Sequence, residues 1–205
     1  NSEHIGNIII HPKDENTLWV AAYGPLWSEG GDRGVYKSVN GGKTWSQTLT
    51  ISKNTGISEI IMDPSDPNIL YAAAHQRRRH EWTYIGGGPE SAIYKSTDAG
   101  ESWKKVTSGL PNKYMGRIGL AVSPVDPNYV YAIVEARYGK EGFYRSTNKG
   151  ESWSKMSSYK TSGNYYQEIF CDPKNRDKVF SMNTYLHHTE DGGKTFIKTG
   201  EKNKH

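Results

Sequence analysis

One eight-residue pattern occurs four times along the chain, and a repeat of this kind constrains the fold more than any other feature. It reads Ser38-Val-Asn40-Gly-Gly42-Lys-Thr44-Trp45, then Ser96-Thr-Asp98-Ala-Gly100-Glu-Ser102-Trp103. The third and fourth copies are Ser146-Thr-Asn148-Lys-Gly150-Glu-Ser152-Trp153 and Thr189-Glu-Asp191-Gly-Gly193-Lys-Thr195-Phe196. A second motif precedes each copy: HPKDENTLWVAA, DPSDPNILYAAA, SPVDPNYVYAIV and DPKNRDKVFSMN. Their leading prolines, Pro12, Pro64, Pro124 and Pro173, lie 52, 60 and 49 residues apart.

Each repeat reads as four short strands. An apolar strand (IGNIIIH, ISEIIMD, RIGLAVS, YQEIFCD) runs into a Pro/Asp/Asn turn, where proline pre-sets φ and Asx side chains bond the local backbone. The second strand is LWVAA, ILYAAA, VYAIV or VFSMN, rich in β-branched and aromatic residues. The third carries GVYKS, AIYKS, GFYRS or YLHHT, and the repeated box is the hairpin into a fourth. No helical periodicity is sustained anywhere. The expected fold is all-β: a propeller with four blades of four antiparallel strands, at approximately 5–52, 57–107, 116–157 and 165–200, in a single domain over 1–205.

The box holds Ser, Asp and Glu within a few residues, which suggests catalysis. The copies argue against it. Asn40 and Asn148 stand where Asp98 and Asp191 stand elsewhere. An amide cannot be a nucleophile or general acid, but its oxygen accepts the same turn N–H groups. Ser38, Ser96, Ser146 and Thr189 are therefore read as turn residues. Gly42, Gly100, Gly150 and Gly193 suit a position with positive φ. Trp45, Trp103, Trp153 and Phe196 suit packing between blades.

The box S-x-D-x-G-x-[TS]-W resembles the signature of the Asp-box (BNR-repeat) propellers, which include sialidases, xyloglucanase-like glycoside hydrolases and sortilin-type receptors. In texture the chain is most similar to bacterial sortilin-like or glycosyl hydrolase BNR-repeat proteins. The resemblance covers essentially the whole chain. It implies that the box is structural and lies away from the ligand face, and that the protein is secreted, periplasmic or at the cell surface; no cofactor or metal is expected. A sialidase would need an arginine triad and a Tyr nucleophile. Arg117 begins a strand as one family arginine does, but no matching set accompanies it.

Topology places the variable segments together. In an up-and-down blade the 1–2 and 3–4 turns share one face, while the 2–3 loops and blade links share the other. The turns are uniform and the loops are not, so recognition is expected on the variable side. Those loops concentrate Tyr23, Trp27, Arg77, Arg78, Arg79, His80, Trp82, Tyr84, Tyr114, Tyr138, Tyr165 and Tyr166, which with Arg117 are the candidate ligand-binding residues. Aromatic platforms with Arg donors suit sugar rings and peptides alike. The competing reading is that long loops bury their own aromatics. Glu59 and Glu168, each five residues before a leading proline, are weak catalytic candidates, since a glycosidase needs two carboxylates roughly 5–5.5 or 6.5–9.5 Å apart. The alternative for both is a hydrogen bond lining the central channel.

The expected function is a recognition module for a glycan or a protein segment; the alternative is a portion of a xyloglucanase-like hydrolase using carboxylates on the same face. A net charge of +4 spread along 205 residues does not suggest nucleic-acid binding, and no apolar run approaches the ~18 residues of a membrane span. The single Cys171 excludes an intrachain disulfide. No signal peptide opens the chain, which is read as mature or trimmed. Because related propellers use six or more blades, further blades or another chain are expected to cover the ends of this arc.

Overall fold

The computed structural model describes residues 2–200, and among them there is no helix. The first sheet comprises β1 (Ile5–His11), β2 (Asp14–Ala22), β3 (Gly34–Ser38) and β4 (Ser46–Leu49). Next come β5 (Thr55–Asp63) and β6 (Asp66–Gln76), a two-stranded ribbon of β7 (Arg78–Arg79) and β8 (Tyr84–Ile85), then β9 (Ala92–Ser96) and β10 (Lys104–Val106). The third sheet is β11 (Met115–Val122), β12 (Val130–Ala136), β13 (Gly142–Ser146) and β14 (Ser154–Ser157). The fourth is β15 (Ile169–Cys171), β16 (Val179–Ser181), β17 (His187–Thr189) and β18 (Ile197–Lys198). In each four-stranded sheet the strands lie side by side in chain order, all antiparallel, with the β7–β8 ribbon set apart inside the second. These are four propeller blades in an arc, with the first strand of each innermost.

Packing explains why the middle strands are apolar on both sides. Along β6, Leu70, Ala72 and Ala74 turn toward the first blade, into a cluster with Trp19, Val35 and Ile57. Ile69, Tyr71 and Ala73 turn the other way, meeting Leu120, Ala132 and Trp153 of the third blade. A strand buried on both faces loses the alternation of a half-exposed one, and its large side chains, Leu70 and Ile69 among them, each contribute about 1.5–3 kcal/mol. A third cluster joins Tyr131 and Phe143 to Ile169 and Val179 of the fourth blade.

The three junctions are built alike. The aromatic in the second strand of one blade donates to a backbone carbonyl of the next: Trp19 to Ala99 (3.0 Å), Tyr71 to Lys149 (2.9 Å) and Tyr131 to Arg176 (2.7 Å). Beside each runs an ion pair, Lys37–Glu101, Lys95–Glu151 and Arg145–Asp177. The acids are substantially exposed, so each pair is worth under about 1 kcal/mol. The box aromatics follow the same rule. Trp103 packs against the first blade, donating to Thr48 Oγ1, and Trp153 is buried between the second and third. Phe196 meets Phe143 of the third blade edge-on. Trp45, whose box belongs to the first blade, is 41 % exposed, as are Ile8 and Ile10 (57 % each) on that blade's outer face. Phe170 and Ile197 are similarly exposed on the outer face of the fourth.

The boxes themselves are four versions of one turn. The hydroxyl of Ser38, Ser96, Ser146 or Thr189 accepts the N–H of Gly42, Gly100, Gly150 or Gly193 at 2.8–2.9 Å. The side-chain oxygen of Asn40, Asp98, Asn148 or Asp191 accepts the N–H four residues on at 2.9–3.0 Å. In the Asp copies the neighbouring hydroxyl, of Ser102 or Thr195, donates to the carboxylate. In the Asn copies the amide N–H donates to Thr44 or Ser152, so the proton's direction reverses and the turn is kept.

Candidate functional site

Antiparallel order places both sets of turns as expected, the boxes on one side and the long 2–3 loops and blade links on the other. The inner strands are tied together at the axis. Asn7 Oδ1 accepts the N–H of Ile60 (2.9 Å), and Glu59 Oε2 in the next blade accepts the N–H of Leu120 (2.8 Å). Glu59 therefore does for the second junction what Asn7 does for the first. Burial pushes its carboxyl up to about 8, against the Leu120 N–H and the nearby Arg117 charge. Glu168 stands just before β15 and receives Arg117 Nη2 at 2.7 Å. Asn7, Glu59, Arg117, Gln167, Glu168 and Phe170 line an axial cavity of about 240 Å³.

The long loop of the second blade divides its residues. Tyr23 bonds His75 Nδ1, and the Arg77 guanidinium lies 3.3 Å over the Tyr23 ring. Burial pushes the Tyr23 hydroxyl up to about 12 and the His75 imidazole down to about 4. Both are part of the structure of the loop base. Arg79 stacks on Tyr84 (4.9 Å) and on Trp27 (5.9 Å), while Arg78 pairs with Glu29 (3.3 Å). His80 and Trp82 stack on each other at the tip, with Trp82 80 % exposed. Tyr165 and Tyr166 are also exposed, on the link to the fourth blade.

A groove of about 570 Å³ opens between this loop and the third blade, lined by Tyr84, Gly86, Tyr114, Glu135, Arg137 and Asn164 among others. The three glycines 86–88 let the loop backbone lie on β11: Gly88 N–H bonds Met115 O at 2.9 Å, and a Cβ on Gly87 would come within 2.6 Å of that oxygen. Glu135, at the end of β12, is the carboxylate of the groove. Its Oε2 accepts the Arg117 N–H (3.1 Å), and Gly116 and Gly163 flank it so closely that a Cβ on either would approach to 2.3 or 2.4 Å. Burial raises its pKa, the Arg117 N–H and charge opposing. Arg117 thus connects the axis, through Glu168, to the groove, through Glu135.

Glu135 carries no motif that marks it in the sequence. The signal was its place at the end of the second strand, shared with Gly163 and Gly116 only after folding. His75 and Asn164 carried no motif. Among the described residues no three His, Cys, Asp or Glu side chains are grouped to hold a metal ion.

The fold and this face define an arc of a β-propeller with its variable loops gathered on one side. A xyloglucanase from Hypocrea jecorina is 30 % identical over 173 residues, covering 78 % of this chain and 18 % of its own length. The vacuolar protein sorting/targeting protein 10 of Colletotrichum graminicola is 30 % identical over 119 residues, 58 % of this chain and 6 % of its own. In three dimensions the GH74 xyloglucanase of Xanthomonas campestris superposes with a TM-score of 0.69 at 18 % identity, over 98 % of this chain and 31 % of that one. The chain therefore spans less than a third of each of these relatives. No family profile matches it.

Proposed function

We propose that this chain is a saccharide-binding portion of an Asp-box propeller protein acting outside the cytoplasm, with the Tyr84–Glu135–Arg137 groove as its binding site. The groove itself carries the reading. It is concave, placed on the variable face, and combines aromatic rings with a fixed carboxylate and a guanidinium, the mixture that meets both the apolar face and the rim hydroxyls of a sugar. Similarity to xyloglucanases favours a glycan over a peptide and an exported protein over an internal one. A second reading, hydrolysis, is favoured by one observation: a half-buried, glycine-flanked Glu135 whose raised pKa suits a general acid.

Isothermal titration against soluble polysaccharides, xyloglucan included, distinguishes these. Binding predicts that Tyr84→Ala and Glu135→Gln each weaken affinity about tenfold with no sugar released. Hydrolysis predicts reducing ends that disappear in Glu135→Gln. Unaltered affinity in both variants would move the site elsewhere.

A further inference from the structure

A second groove adjoins the first and differs from it in charge. It has a volume of about 590 Å³ and includes Tyr114, Tyr138, Lys113, Arg137, Lys140 and Lys155 in its lining, with no carboxylate there. Tyr114 and Arg137 belong to both grooves. Among the described residues no acid pairs with Lys113, Arg137 or Lys140. Glu141, next in sequence to Lys140, is bound to Lys160 at 3.2 Å and also feels Lys155. Lys155 itself donates to Gly139 O (2.9 Å).

The two tyrosines are held at a cost. Tyr114 and Tyr138 have φ of 57° and 60°, in the left-handed region, which bulky residues adopt only when the surroundings impose it. Two of the other non-glycine residues there, Ala99 and Lys149, occupy the box turn, where other copies carry Gly41 and Gly192. Tyr138 and Gly139 (φ 71°) are the central pair of a tight turn closed by Lys140 N–H to Arg137 O at 3.3 Å. Positive φ at both central positions makes it a type I′ turn, whose favoured pair is Asn-Gly. A tyrosine replaces the cheaper residue, and its ring is not used for packing, being 79 % exposed. It meets Tyr114 edge-on, centroids 5.8 Å apart at 78°, and both rings line the groove.

We infer that this second groove binds an acidic oligosaccharide, whose sugar rings stack on Tyr138 and Tyr114 while their carboxylates meet Lys113, Arg137 and Lys140. The inference rests on the saccharide-binding reading of the face and specifies the ligand. Rings at right angles beside unpaired cations suit pyranose units that each carry a carboxylate. An acidic peptide is less well served. The adjacent outer strand, β14, is only four residues long, so it offers little free edge for a main-chain ladder.

The test titrates the chain with tetragalacturonate and with a neutral tetrasaccharide of the same length, at low and high salt. The acidic sugar is expected to bind at least tenfold tighter at low salt, with the margin shrinking as salt rises. Tyr138→Asn is the informative variant, because Asn-Gly suits the turn: its unfolding midpoint should match or exceed that of the parent while galacturonate affinity falls at least tenfold. Lys113→Ala with Lys140→Ala should remove the acidic preference and leave neutral binding. Equal affinity for the two sugars, full binding by Tyr138→Asn, or tighter binding of a poly-glutamate peptide would each overturn the inference. Neutral sugar bound equally well, with loss in Tyr84→Ala, would sink this inference alone. No saccharide bound at all would end the broader reading too.

Discussion

Replacing Asp98 tests whether the repeated box is a turn or a catalytic device. Its carboxylate accepts the Ser102 N–H (2.9 Å), the Ser102 hydroxyl and the Ser96 hydroxyl (2.7 Å). Each such bond contributes a net of about 0.5–1.5 kcal/mol. The carboxylate lies at the surface and water replaces part of what is lost, so Asp98→Ala should cost about 2 kcal/mol. At a urea slope of about 2 kcal/mol per molar, that is a shift of ~1 M in the unfolding midpoint. Asp98→Asn should shift it by less than ~0.3 M, because Asn40 and Asn148 already close the same turn, with the hydroxyl proton reversed. The two variants should also separate with pH. The Ser102 hydroxyl and N–H and the Ser96 hydroxyl hold the Asp98 carboxyl down at about 2, below its ordinary 3.8. The stability from this lowered pKa is present above pH 3.8 and lost as pH falls toward 2, a loss absent from Asp98→Asn. Urea titrations followed by far-UV circular dichroism, at pH 7 and between pH 4 and 2, would measure both. An Asn variant as damaged as the Ala variant, or one that unfolds normally yet loses all ligand binding, would refute the structural role.

The axial carboxyl behaves in the opposite sense. Glu59 is raised from 4.5 to about 8 by burial, so the folded form holds a proton that the unfolded chain releases, and stability contributed below pH 4.5 drains away as pH rises toward 8. Glu59→Gln should flatten the unfolding midpoint between pH 5 and 8; an unchanged slope would mean another group titrates. Trp153→Ala, in the buried junction of the second and third blades, should cost about 3–5 kcal/mol. The same change at exposed Trp45 should cost under about 1 kcal/mol, and comparable melting shifts for the two would contradict the packing described.

The strand order, the turn chemistry of the boxes and the division into a uniform and a variable face were all legible in the sequence. They depend on local patterns repeated four times, and each repeat checks the others. That Asn stands in two boxes argued against catalysis there before any distance was known. The fate of individual side chains was not legible in this way. Trp45, Trp103 and Trp153 are equivalent in sequence, yet one is exposed and one buried, because burial depends on whether a neighbouring blade lies across the junction. Glu59 and Glu168 share a register position, but the first ends on Leu120 N–H and the second on Arg117. Tyr23 and Tyr138 both read as loop aromatics; Tyr23 is sealed under Arg77, while a left-handed turn lifts Tyr138 into the open. Glu135 acquires its glycine walls from segments 19 and 28 residues away in sequence. Periodicity reports which face of a strand a residue occupies, but only the packing of one blade on the next, and the path of the loops over it, decides what that face meets.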